Sequence, residues 1–125
     1  MVTDIENILF GTFEVSQTLI NIQTEIVGDK NPIHRKGVIP FYMIEGIISS
    51  LIQDWSQKNN YKVEHPRVRI ARSDICNQLR AGRKYNCIGS ISHNTDEKSA
   101  SIKCAVRNPG KPNDLLTFSM KIKHR

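Results

Sequence analysis

The sequence predicts an α+β fold in which one antiparallel sheet wraps a long central helix. Three observations carry this. The stretch FYMIEGIISSLIQDWSQKNN (residues 41–60) sets Ile44, Ile47, Ile48, Leu51, Ile52 and Trp55 on one wide apolar stripe. After Asn60 the apolar period falls from helical spacing to two. A helix with so broad a stripe is packed most economically by a single sheet folded around it. The chain is 125 residues long, which predicts one domain over its whole length, with a single modest core.

The elements follow in order. ILFGTFEV, Ile8 to Val15, reads as a short first strand. From Ser16 the period changes: Leu19, Ile22 and Ile26 recur at helical spacing. Ser16 suits an N-cap and Gly28 a C-terminal stop, so this helix is expected to end just before Asp29. Residues 29–40 read as loop, because Pro32, Gly37 and Pro40 act against helix. Pro40 then fixes where the long helix can start. Gly46 lies inside that helix, where it costs about 0.5–1 kcal/mol relative to alanine, and so suggests close backbone packing. Four alternating runs follow, around Val68 and Ile70, Tyr85 to Ile91, Ala100 to Val106, and Leu116 to Ile122. Turn signals separate them at Ala81-Gly82, Asn94 to Glu97, and NPGKPN from Asn108.

Composition narrows the function classes. Hydrophobic residues make up 38% of the chain and mean hydropathy is −0.40, a globular rather than a disordered balance. No apolar run approaches the roughly 20 residues that a membrane helix needs. The start, MVTDIENILFGTF, has no basic segment of the signal-peptide kind, so a cytoplasmic protein is expected. Cys76, Cys87 and Cys104 are odd in number and lack metal-ligand spacing; Cys87 and Cys104 read as small core side chains. His65, His93 and His124 form no ligand pair either, and no metal or redox cofactor is expected. The net charge of +6 favours anionic partners. Arg67, Arg69, Arg72, Arg80, Arg83 and Lys84 crowd one region that suits a phosphate-bearing ligand or an acidic carrier protein, or else is a solvated strand face. Nucleic acid is not expected, because no aromatic residues interleave with these charges.

The stretch with most chemical content is VGDKNPIH, Val27 to His34. Pro32 biases Asn31 toward an extended backbone, so the segment cannot continue the preceding helix. A bend there can aim Asp29 and His34 at one volume, with Asn31 hydrogen-bonding local backbone to hold it. A carboxylate and an imidazole facing one water form a general base and a general acid. Spacing alone also fits a plain polar turn.

GDKNPIH resembles the GDxNPxH signature of the (R)-specific enoyl-CoA hydratases, a MaoC-like group of hotdog folds. The resemblance runs on through GVIPFYMIEGIISSLI, similar to the start of the family's central helix, and through HPRVRIARSDICNQLRAGRKYNCIGSI, with the turn glycine at Gly82. It implies a single hotdog domain that forms a homodimer, with the substrate tunnel at the subunit interface. The substrate would be a trans-2-enoyl thioester on coenzyme A or acyl carrier protein, with coenzyme A or phosphopantetheine present only as part of it. Asp29 would take a proton from water and His34 would deliver one to the α-carbon. Backbone amides at the central helix N-terminus would polarise the thioester carbonyl. The segment between His34 and this helix is shorter than in the family. Aligning Met43 with the family methionine puts Tyr42 at the carbonyl-polarising glycine and Ser50 at a serine near the site. A shift of one residue puts Phe41 and Ser49 there instead, and the sequence leaves both open. Glu45 is similar to the helix glutamate of a second hotdog group, the β-hydroxyacyl-carrier dehydratases, but lies one residue too close to Pro40, a rotation of about 100°. Two other functions also stay open: a hotdog acyl thioesterase, and a catalytically silent hotdog subunit that binds acyl chains or supports an active partner.

Overall fold

The computed structural model describes residues 4–63, 69–73, 79–93 and 99–124. The elements are β1 (Ile5–Glu14), α1 (Gln17–Val27), a 3-10 turn (Pro32–Lys36), α2 (Phe41–Lys58), β2 (Tyr61–Val63), β3 (Arg69–Ser73), β4 (Lys84–His93), β5 (Ser99–Arg107) and β6 (Leu116–His124). Among the described residues the strands form one antiparallel sheet in the order β1-β4-β5-β6-β2, and β3 also pairs with β6. β2 pairs with Val63 opposite Ile122, and β3 with Arg69 opposite Ser119, so both lie along the same edge of β6.

One side chain shows how far the sheet curls. Trp55 of α2 packs edge-on against Phe10 of β1 at 5.5 Å and stacks on Tyr61 of β2 at 5.8 Å. Phe10 and Tyr61 sit on opposite edge strands, so the sheet closes around the helix from both sides. The stripe read from the sequence is the buried one: Ile44, Ile48 and Ile52 are enclosed, with Ile47, Leu51 and Trp55 packed at their flanks. From the sheet, Cys87, Ile91, Ile102, Val106, Phe118 and Ile122 complete the core at period two. Gly89 is required where β4 meets β5. A Cβ there would overlap the Lys103 carbonyl oxygen and lie 2.7 Å from Cys104 Cα.

Several expectations need correction. The α1 caps hold: the Ser16 hydroxyl accepts from the Leu19 amide at 3.1 Å, and Gly28 is left-handed at φ 73°. Its buried face, however, is Ile20 and Thr24, while Leu19, Ile22 and Ile26 are exposed. Spacing finds an apolar stripe but not which flank of it the core takes. Gly46 is exposed, and a Cβ there would touch nothing within 4 Å, so close packing does not explain it. Residues 29–40 are not all irregular, because Pro32 opens a 3-10 turn. Proline is tolerated at that position, where its missing N–H has no intrahelical acceptor. β1 starts three residues earlier than Ile8, and β2 is too short for its alternation to be read. Arg67, Val68 and Cys76 lie outside the described residues. No described helix is long and apolar enough to cross a membrane.

Candidate functional site

Asp29 and His34 are brought together. The Asp29 amide caps α1 by donating to the Thr24 carbonyl at 2.8 Å, which turns the chain out of the helix. The Asp29 side chain then accepts from the Asn31 amide at 3.0 Å, and the Asn31 side chain accepts from the Ile33 amide at 3.2 Å. These two Asx bonds nucleate the 3-10 turn. That turn carries His34 back to the carboxylate, with Nε2 3.1 Å from Asp29 Oδ2. Asn31 thus hydrogen-bonds local backbone at the bend.

The imidazole is fixed from its other side. Nδ1 lies 2.9 Å from the Val38 carbonyl oxygen and must donate to it. Gln17 of α1 donates from its side chain to the His34 carbonyl at 2.8 Å. The stretch beyond is tied to the start of β4's turn: Ile39 donates to Leu79 at 2.9 Å, Ala81 donates to Gly37 at 2.7 Å, and Val38 bridges Arg80. With Nδ1–H committed to a carbonyl, the Nε2 to Oδ2 contact is attractive only with a proton between the two atoms. A proton placed between the two atoms can be carried by either member. The side chains are 12% and 23% exposed for His34 and Asp29, so they are sheltered but reachable.

The start of α2 stands beside the pair. The amides of Met43 and Ile44 both donate to the Pro40 carbonyl. Those of Phe41 and Tyr42, earlier in the first turn, have no intrahelical acceptor by position. The side chains of Phe41 and Tyr42 are 48% and 40% exposed. Partial desolvation raises the Tyr42 phenol above its ordinary pKa, and the nearby Asp29 charge raises it further. Tyr42 therefore reaches the carboxylate's neighbourhood with its side chain, a feature that spacing did not disclose. The serines are farther down α2: Ser49 accepts from the Gln53 side chain at 3.1 Å, and Ser50 is exposed. Glu45 is half-buried on the same helix.

A groove of about 550 Å³ opens beside Asp29, lined by Asn21, Thr24, Glu25, Gly28, Lys30 and Arg35. Of the basic residues singled out in the sequence, Arg69 and Arg72 fall on the edge strand β3, and Arg80, Arg83 and Lys84 are exposed at the turn before and the start of β4. Among the described residues no cluster of three or more His, Cys, Asp or Glu could hold a metal ion. Cys87 and Cys104 are buried thiols, and a hydrogen bond between them, with burial, pushes Cys104 well up.

A second polar cluster went unread. Asp4 accepts from the His93 amide at 2.8 Å and from Nδ1 at 3.2 Å, while Nε2 of His93 accepts from the Tyr61 hydroxyl at 2.8 Å. The members are 89 and 32 residues apart, so no local spacing announces them.

No protein-family model matches the sequence, and no curated protein does. Among solved structures, the chain is similar to the R-hydratase PhaJ1 from Pseudomonas aeruginosa in its unliganded form. The TM-score is 0.58 at 11% identity, over 98% of this chain and 88% of that one. The chain has the hotdog fold of that hydratase.

Proposed function

We propose that the protein is a hydro-lyase that adds water to trans-2-enoyl thioesters, giving (R)-3-hydroxyacyl thioesters, or runs the reverse dehydration. The observation that carries this is the 3.1 Å contact between Asp29 and His34, which sets a carboxylate and an imidazole side by side. A water bound at the open side of the pair gives its proton to Asp29 as its oxygen attacks the β-carbon. His34 gives its Nε2 proton to the α-carbon. Charge that develops on the thioester oxygen is met by the amides of Phe41 or Tyr42 at the N-terminus of α2. After addition, Asp29 holds a proton and His34 holds none on Nε2. The direct contact lets that proton cross back, so the pair resets without outside help. The hotdog fold shared with an R-hydratase supports this reading. No metal or redox cofactor enters the scheme, and the working unit is proposed to be a homodimer acting on a coenzyme A or carrier-bound thioester.

The test follows loss of a short enoyl-thioester's absorbance with wild type, Asp29→Asn and His34→Ala. Each substitution is expected to lower turnover by at least about 10²-fold. An active wild type whose rate survives both would overturn the assignment, and release of free thiol would mark a thioesterase instead.

A further inference from the structure

The strands that follow α2 carry charge of one sign. β2 to β6 contain eight Lys or Arg residues and no Asp or Glu. In β4, β5 and β6 the inward positions are apolar and buried, as at Ile91, Ile102 and Phe118, so the polar side chains between them fall on the outer face of the sheet. Register sets these side by side. Ser90 of β4, Lys103 of β5 and Ser119 of β6 are direct cross-strand neighbours, and Arg69 of β3 stands opposite Ser119. In the next row Ser92 pairs with Ser101, and Ser101 with Lys121. Lys103 and Lys121 are therefore diagonal neighbours, a spacing of about 7–8 Å. Among the described residues no side-chain hydrogen bond or ion pair engages Ser90, Lys103, Ser119 or Lys121. A groove of about 650 Å³ opens in this face, with Ser90, Lys103, Arg107, Thr117 and Ser119 in its lining. Its acids are Glu6 of β1 and Asp114, and Asp114 is held by Arg107 at 2.6 Å. Among the described residues no large apolar side chain of β4, β5 or β6 is exposed.

We propose that this outer face binds double-stranded RNA, through its phosphates and 2′-hydroxyls and without reading sequence. Lysines meet phosphates whatever the bases are. A serine hydroxyl both donates and accepts, which matches a 2′-hydroxyl. The lack of aromatic rings counts against single-stranded nucleic acid, whose bases stack on them. It does not count against a duplex, which keeps its bases stacked inside and is bound by shape and backbone. The other anionic partners fit this face less well. A protein surface is gripped through aromatic or apolar anchors, and none is exposed here. A second copy of the chain would bring the same cations against each other. The sheet curls around α2, so its outer face is convex and meets a flat bilayer over little area. The wide, shallow minor groove of an RNA duplex receives such a shape. The inference stands apart from the Asp29–His34 pair and does not rest on the hydro-lyase reading.

The test is fluorescence anisotropy with a labelled RNA duplex of about 20 base pairs, beside its single strand and a DNA duplex of the same sequence. At about 50 mM salt the RNA duplex is expected to bind at least about tenfold more tightly than either. Lys103→Gln and Lys121→Gln should each make the dependence of log affinity on log salt shallower by about one. Ser90→Ala combined with Ser119→Ala should narrow the preference for RNA over DNA without changing that slope. Lys58→Gln, at the end of α2 and off the sheet, should change neither quantity. Failure of wild type to bind the RNA duplex overturns the proposal. Equal affinity for the two duplexes does so too, because it marks a general polyanion surface. Slopes that ignore the sheet lysines, or that Lys58→Gln shifts as far, are equally fatal. Tighter binding to phosphatidylserine vesicles than to the RNA duplex would make the face a lipid surface instead. The comparison of ligands on wild type needs no substitution, so it stands even if a variant folds poorly.

Discussion

The side chain of Gln17 holds the main chain of His34, donating from Nε2 to the carbonyl oxygen at 2.8 Å. The same amide also donates to Asn21 Oδ1 at 3.0 Å, which fixes its orientation along α1. The imidazole thus takes its position from the first turn of a helix that ends just before its Asp29 partner. Gln17→Ala should free the turn and lower kcat by about tenfold, with a smaller effect on KM. Steady-state kinetics on an enoyl thioester checks this, and an unchanged kcat would show that the anchor is not used.

Tyr42 reports on the charge of Asp29. Desolvation is the larger cause of its raised phenol pKa and the Asp29 charge the smaller. Asp29→Asn removes the second cause, so the Tyr42 phenol should ionise at lower pH than in wild type. Ultraviolet titration of tyrosinate, with Tyr42→Phe to isolate this phenol from Tyr61 and Tyr85, reads the shift directly. A curve that does not move would separate Tyr42 from the site.

The Asp4–His93 contact sets a pH dependence of stability. The His93 amide, and then its ring, hold the Asp4 carboxyl below its ordinary value of 3.8. A carboxyl lowered in the folded state contributes stability that is present above the unfolded pKa and lost as pH falls through the folded one. Asp4→Asn should therefore melt below wild type at neutral pH, and the two curves should converge below about pH 4. Thermal melts across pH 3–7 test it, and a gap that persists in acid would deny the contact its role.

Ser56 carries a cost that the fold tolerates. It is fully buried near the end of α2, and its hydroxyl has no hydrogen-bond partner among the described residues. An unsatisfied buried polar group costs about 1–3 kcal/mol. Ser56→Ala also gains helix propensity, so it should raise the denaturation midpoint at an unchanged m-value. A lower midpoint would mean that the hydroxyl is satisfied in solution.

What the residue pattern discloses is what local physics determines. Ser16 and Gly28 announce both ends of α1, and the stripe from Ile44 to Trp55 announces the central helix, because caps and periodicity act within a few residues. Asp29, Asn31 and His34 were legible for the same reason: their bonds span two to five positions. The burial of Ile20 rather than Leu19 depends on what α1 packs against, and that neighbour is chosen by the sheet. The pairing of Gly37 and Val38 with Arg80 and Ala81, like the Asp4–His93–Tyr61 cluster, joins segments tens of residues apart. Such contacts are products of topology, which spacing does not encode.

The carbonyl that orients the His34 imidazole belongs to Val38, and Val38 is held against Arg80 by main-chain atoms. The contacts at Gly37–Ala81 and Ile39–Leu79 are likewise made without side chains. Substitutions at Val38, Leu79 or Arg80 that keep the backbone path leave this scaffold intact. The geometry of the acid–base pair is thereby insulated from the identity of its surroundings. A groove built around such a backbone frame can be re-lined while the Asp29 and His34 side chains stay where they are.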